Sequence, residues 1–237
     1  MCNNAGVHKA MNAVVFYSNT GESRKIALNF ADKLGYPFLD IFENDRKNYK
    51  NLVIVFPVHC QNIPDIVKDF LRGISVENLT AVATYGKMCP GNVLYEIQKK
   101  YTKNIVAAAY IPTKHSYIDN DDAFCDFEKL DPIVDKIKNP SYILLPKLYK
   151  NPLANIFPKM RSRLGIKIQR SEDCNGCNIC AENCPLKAVK AGAQNSRCIR
   201  CLKCVATCPS KALTVKLSPP LKLYLRKKKS TKVVIYV

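Results

Sequence analysis

Along the first 140 residues the apolar positions fall into two alternating kinds of run. Short, continuous, largely β-branched runs occur at Met11–Tyr17 (M-N-A-V-V-F-Y), Phe38–Phe42, Asn51–Phe56 (N-L-V-I-V-F), Leu79–Thr84 and Asn104–Tyr110. Runs of that length with no polar alternation are the form taken by strands buried on both faces. Between them the apolar residues recur at helical spacing. Ile26, Ala27, Phe30, Ala31 and Leu34 share one face of Arg24–Leu34, a second helix opens at Pro64, and Phe124, Phe127, Leu130, Val134 and Ile137 share a face of Phe124–Ile137. Strands alternating with helices predict an α/β domain with a parallel, doubly wound sheet.

Past residue 138 the pattern changes. Asn139–Arg170 holds Pro140, Pro146, Pro152 and Pro158, enough to prevent a long helix, and seven Lys or Arg with no acid. Its apolar residues, Tyr142, Ile143, Leu144, Leu145, Leu148, Leu153, Ile156 and Phe157, predict a segment packed between domains; a membrane-surface segment is the alternative. The chain divides into 1–138, a basic linker 139–165, a small domain 166–217 and a basic tail 218–237, whose run Arg226–Lys229 precedes a strand candidate at Val233–Val237.

Charge sharpens that division. Residues 1–139 carry 17 Lys and Arg against 16 Asp and Glu, whereas residues 140–237 carry 20 against only Glu172, Asp173 and Glu182. A surplus confined to one half predicts a docking surface for an acidic partner; no nucleic-acid motif accompanies it. No run reaches the ~18 apolar residues of a membrane span. The start, M-C-N-N-A-G-V-H-K, lacks the apolar core of a signal peptide, so a cytoplasmic protein is expected.

Eight of the twelve cysteines lie within Cys174–Pro209, as two copies of C-x2-C-x2-C-x3-C-P offset by 24 residues. The copies continue past the motif, Pro185-Leu-Lys-Ala-Val matching Pro209-Ser-Lys-Ala-Leu. Three thiolates at two-residue intervals can wrap a loop around one face of an iron–sulfur cube, leaving a fourth corner to come from elsewhere. Zinc prefers two pairs of ligands and has no use for a third cysteine at that interval. A disulfide framework belongs to short secreted chains. The stretch closely resembles the bacterial two-cluster ferredoxins, in which the fourth cysteine of each run ligates the other cluster. That resemblance implies an α+β ferredoxin-like domain in which Cys174, Cys177, Cys180 and Cys208 hold one [4Fe–4S] cluster. Cys198, Cys201, Cys204 and Cys184 would hold the second. Two oxygen-sensitive clusters also imply an anaerobic setting.

The loop between the first strand and the first helix is Ser18-Asn-Thr-Gly-Glu-Ser23. Strand, hydroxyl- and Gly-rich loop, helix is a geometry in which amides cradle a phosphate. It is neither a Walker A loop nor the G-x-G-x-x-G turn, and Thr20 and Ser23 are also ordinary helix caps. Ser18, Asn19, Thr20, Gly21, Glu22 and Ser23 resemble the flavodoxin phosphate loop, [ST]-x-T-G-x-[ST]. Two further loops support the likeness. Pro57-Val58-His59-Cys60, running on to Ile63-Pro64, and Thr84-Tyr85-Gly86-Lys87 resemble the family's two ring-contacting loops. All three follow strand C-termini, where ligands of such sheets bind. The resemblance covers roughly residues 11–138 and implies strand order 2-1-3-4-5 and an FMN. Trp, a frequent stacking partner in the family, is absent; Tyr85 is the candidate aromatic, with His59 as a second face. Lys87 beside the ring would favour the anionic reduced flavin.

Together the two halves resemble a family of fused flavodoxin–ferredoxin proteins. This implies a carrier that relays electrons between two [4Fe–4S] clusters and FMN and docks to redox-partner proteins. An FMN-dependent reductase fed by its own ferredoxin domain is the alternative. No nucleophile–base arrangement suggests other catalysis. Cys2, Cys60, Cys89 and Cys125 fall outside the cluster motif, Cys60 and Cys89 lying in the flavin loops. His8, His115 and the acidic run Asp119–Asp122 read as surface features.

Overall fold

A computed structural model of the protein describes residues 10–102, 104–118, 122–155, 158–226 and 229–237. Cys2, His8, Asp119–Asp121 and Lys227–Lys228 lie outside them, as does Ile156–Phe157 of the linker. The apolar runs become strands β1 (Met11–Phe16), β2 (Phe38–Asp40), β3 (Asn48–Pro57), β4 (Ser75–Tyr85) and β5 (Ile105–Pro112). The helical runs become α1 (Glu22–Leu34), α2 (Asp65–Arg72), α3 (Val93–Lys100) and α4 (Asp131–Lys138). The strands pair in parallel in the order β2-β1-β3-β4-β5, the flavodoxin-like order of a doubly wound sheet.

Successive strand residues face opposite sides, which splits the core in two. Val14, Phe16, Val53, Val55 and Val82 meet Ile26 and Phe30 of α1 and Ile133 and Ile137 of α4. Ala13, Val15, Leu52, Ile54 and Ala81 meet Val67 and Leu71 of α2 and Leu94 and Ile97 of α3. β3 and β4 begin earlier than their apolar runs because polar residues also pair there. Asn12, Asn51 and Asn78 form a ladder of side-chain amides across three strands, with Asn51 Nδ2 to Asn12 Oδ1 and Asn78 Nδ2 to Asn51 Oδ1 both 3.0 Å. The last helix starts later than the periodicity suggests. Phe127–Leu130 is a 3-10 turn, and the α-helix begins at Asp131 because Pro132 is tolerated only in the first turn.

The linker packs against the first unit, with Leu145 in its core. Ile143 N–H donates to Ile105 O, Leu145 N–H to Gln98 Oε1, and Leu148 N–H to Asn92 Oδ1, each at 2.9 Å. After a 3-10 turn at Pro152–Asn155, α5 (Pro158–Gly165) leads into the second unit.

That unit consists of β6 (Ile166–Arg170), α6 (Ile179–Glu182), β7 (Val189–Lys190), β8 (Ala193–Gln194), α7 (Lys203–Ala206), β9 (Leu213–Leu217) and α8 (Pro219–Leu225). β6 pairs antiparallel with β9, and β7 with β8. The 24-residue repeat of the sequence is also a repeat of backbone conformation. Left-handed residues recur in pairs: Gly176 with Arg200, Asn178 with Leu202, and Lys187 with Lys211. Hydrogen bonds recur with them, Cys184 N–H to Ala181 O beside Cys208 N–H to Val205 O, and Lys187 N–H to Cys184 O beside Lys211 N–H to Cys208 O. Arg200 and Leu202 take conformations normally left to glycine and asparagine, so the loop shape overrides local preference.

From α8 the chain returns to the first sheet. β10 (Val234–Tyr236) pairs antiparallel with β5, through Val234 with Tyr110 and Tyr236 with Ala108. The sheet therefore has six strands, not the five that the apolar runs suggest. The cysteine unit is inserted between two strands of this sheet.

Candidate functional site

The eight clustered cysteines line two cavities. Cys174, Cys177, Cys180 and Cys208 surround one, partly open to solvent, with Asn175, Gly176, Asn178, Pro209 and Ser210. Cys184, Cys198, Cys201 and Cys204 surround another, also partly open, with Ile168, Leu186, Val189 and Leu202. Each cavity takes three cysteines from one sequence run and the fourth from the other. α6 and α7 follow the left-handed Asn178 and Leu202, so the third cysteine of each run rides on a helical turn.

Burial pushes the Cys201 thiol up to about 11 and the Cys204 thiol up to about 12, because a thiolate there has lost water without gaining a cation. The Ser210 hydroxyl, 3.6 Å from Cys208 Sγ, holds that thiol lower. Cys184 Sγ accepts the Ala188 N–H at 3.2 Å. The thiols wall their cavities rather than converging on a point. Among the described residues no three His, Cys, Asp or Glu side chains gather tightly enough for a single metal ion. A polynuclear cationic centre that binds a thiolate at each corner fits this arrangement, supplying charge where burial has removed water.

In the first unit, all three candidate loops lie at the carboxyl edge of the sheet. Gly21 begins α1 in a left-handed conformation, φ 97°, with open space where a Cβ would sit. Its amide donates to Ser18 Oγ at 3.1 Å. The first-turn amides of α1 have no intrahelical acceptor, and Thr20 is exposed beside them. This part fits a phosphate. Ser23 is buried and shares a 2.8 Å hydrogen bond with Thr84 Oγ1, fastening the loop to β4. Asn19 Nδ2 donates to His59 Nε2 at 2.9 Å, fastening it to the next loop; Asn19 Oδ1 is buried without a partner. That bond fixes His59 as the neutral tautomer with its acceptor at Nε2, and desolvation pulls its pKa down to about 4.

The loop after β3 makes a tight turn with Cys60 and Gln61 both left-handed, closed by mutual bonds between His59 and Asn62. Val58 N–H continues the ladder onto Thr84 O. The linker buttresses this turn. Lys150 Nζ reaches both Asn62 Oδ1 (2.8 Å) and Glu96 Oε1 (2.6 Å), Asn62 Nδ2 donates to Ala154 O (2.8 Å), and Asn151 N–H donates to Gln61 Oε1 (2.9 Å).

The loop after β4 differs from the expectation. Thr84 points toward α1, so Tyr85 must point to the opposite face. There it is buried in the core, its hydroxyl 3.2 Å from Ser230 Oγ. It does not offer its ring to the crevice. Gly86 is covered by His115, whose ring lies where a Cβ would be. Lys87 is buried and donates to Asp122 O at 2.8 Å, in place of facing a ring.

Two residues of the crevice carry no motif. Tyr17, at the end of β1, stacks edge-on with His59 and feels Cys201 and Cys184; burial and these thiols raise its pKa. Tyr117 packs into the apolar core of the cysteine unit, and its hydroxyl donates to Arg200 O at 3.0 Å. Burial, then Cys60, Cys201 and Cys198, raise its pKa. The cavity of Cys184, Cys198, Cys201 and Cys204 thus abuts the carboxyl edge of the sheet. Nothing in the local sequence around either tyrosine marks this contact.

No known protein-family model matches the chain, and no curated protein matches it in sequence. Solved structures similar to part of it include presumed flavoproteins from Bacteroides uniformis ATCC 8492 and Bacteroides eggerthii DSM 20697. The first is 15% identical with TM-score 0.38, covering 45% of this chain and 92% of that one. The second is 17% identical with TM-score 0.40, covering 54% and 98%. A short-chain flavodoxin associated with a non-canonical PDU bacterial microcompartment is 15% identical with TM-score 0.40, covering 55% and 97%. Among the described residues no helix is long and apolar enough to cross a membrane.

Proposed function

We propose that the chain is an electron-transfer protein holding two [4Fe–4S] clusters in its cysteine cavities and an FMN at the carboxyl edge of its parallel sheet. The observation that carries this reading is the grouping of eight thiols into two four-cysteine cavities, one of them abutting that edge. The clusters supply one-electron exchange and the flavin one- or two-electron exchange. Cys174, Cys177, Cys180 and Cys208 would hold one cluster, and Cys184, Cys198, Cys201 and Cys204 the other. Ser18, Asn19, Thr20, Gly21, Glu22 and Ser23 would hold the FMN phosphate.

The chain's own groups do the positioning. Ser23 and Thr84 pin the phosphate loop to β4, Asn19 ties it to His59, and Lys150 braces the Pro57–Cys60 loop through Asn62. Tyr117 joins the two units through the apolar cluster and its bond to Arg200 O. Tyr85, Gly86 and Lys87 fit a supporting role beneath the site better than contact with a ring. The surplus of Lys and Arg after residue 139 supports docking of acidic redox proteins.

The test is the iron, acid-labile sulfide and flavin content of anaerobically purified, reconstituted protein. About eight irons and one FMN per chain are expected from two cubanes and one phosphate loop. Stoichiometric zinc, or no iron, would overturn the cluster reading. A full iron complement that takes up no added FMN would overturn the flavin half.

A further inference from the structure

The two cysteine cavities, though related by the 24-residue repeat, meet their surroundings differently. Around the first, Cys177 is exposed and Cys174, Cys180 and Cys208 are half-buried. Its lining includes the exposed polar residues Asn175, Asn178 and Ser210. A Cβ on Gly176 would meet nothing within 4 Å, so the wall beside Cys177 faces open space.

Around the second, Cys198 and Cys204 are buried and Cys184 and Cys201 half-buried, beside Ile168, Val189 and Leu202. The first unit packs against this apolar cluster. Tyr117 enters the same apolar cluster and is fixed by its hydroxyl to Arg200 O, one residue from Cys201. Sequence symmetry has therefore become an outer cavity and an inner one.

We infer that the outer cavity, at the Cys177 face, is the port at which one-electron redox partners dock, and that the inner cavity serves the first unit alone. This inference rests on the reading that both cavities hold clusters. A partner that binds at the port is oxidised or reduced by one electron, and the centre behind Cys177 changes by one electron in the opposite sense. No bond or proton transfer accompanies the exchange. A partner approaching elsewhere on the cysteine unit meets the apolar roof of the inner cavity or the first unit instead.

The experiment uses the full, anaerobically reconstituted chain. Iron release to bathophenanthroline disulfonate, a bulky hydrophilic chelator, should be biphasic, with two equal phases separated by roughly tenfold or more, since release from the inner cavity requires local opening. Removing the outer ligands in a Cys174→Ala/Cys177→Ala variant should abolish the fast phase and leave the slow one. The same variant, once reduced, should pass electrons to plastocyanin, an acidic one-electron acceptor, at least roughly tenfold more slowly than the unaltered chain, although the inner centre's EPR signal persists. A single release phase from a chain with its full iron complement overturns the inference without touching the cluster reading. So does an unchanged rate to plastocyanin. A chain that takes up no iron overturns both. The release measurement on the unaltered chain decides the matter even if the variant does not fold.

Discussion

Lowering the pH from 7 to 5 should weaken the fold through one imidazole. His59 sits between Tyr17 and the phosphate loop, accepts the Asn19 amide at Nε2, and has its pKa pulled down to about 4. In the unfolded chain an ordinary histidine titrates near 6.5. Between those values the unfolded state binds a proton that the folded state refuses, so stability falls with acidification. The contribution is present above about pH 6.5 and is lost progressively as pH falls toward 4. From pH 7 to 5 the linkage amounts to about 2 kcal/mol, and its full extent below pH 4 to about 3 kcal/mol. The assay compares urea unfolding of the reconstituted chain with that of a His59→Gln variant, whose amide oxygen replaces the acceptor for Asn19 but does not titrate. Because the two chains differ only at residue 59, other pH effects cancel in the difference. The unaltered chain should lose about 2 kcal/mol more than the variant over this interval. Parallel pH profiles for the two would refute the reasoning.

Other substitutions probe the frame of the site. Gly91→Ala should cost about 2 kcal/mol in urea unfolding, since Gly91 is left-handed at φ 68° and its Cβ would sit 2.6 Å from Gln61 O in the loop after β3. Phe30→Ala, at a fully buried position between α1 and the sheet, should cost about 3–5 kcal/mol by the same measurement. Lys211→Gly should stabilise by up to about 1 kcal/mol with unchanged iron content, because Lys211 is exposed and left-handed at φ 53°. Deleting residues 230–237 should uncover the edge of β5 and make the chain aggregate, as light scattering would register.

The sheet was legible because strands buried on both faces leave continuous apolar runs; Asn51–Phe56 and Leu79–Thr84 lie inside β3 and β4. Their polar extensions were not, since Asn12, Asn51 and Asn78 are stabilised by one another across strands. The cysteine repeat was legible as a sequence pattern, but its matched left-handed residues were not, since Arg200 and Leu202 carry no local preference for that conformation. The burial of Tyr85 follows from alternation once Thr84 is placed toward α1, but motif similarity alone turned it outward. The contacts of Tyr17 and Tyr117 with the cysteine unit join residues far apart in sequence and leave no periodic trace. β10 was visible only as a short apolar run, because its partner strand lies more than a hundred residues upstream in the chain.

That long-range pairing bears on the order in which the molecule can be built. Five parallel strands are complete by Pro112, yet the outer edge of β5 waits for residues that follow the whole cysteine unit. During synthesis an apolar strand edge stays exposed while eight reactive thiols emerge. Closure of such a distant pair is entropically slow. Metal capture by the thiols would draw Ile166 and Leu217 together through the β6–β9 ladder, shortening the effective loop that β10 must close. Cofactor loading would then act as a timer for finishing a sheet that contains none of the ligands.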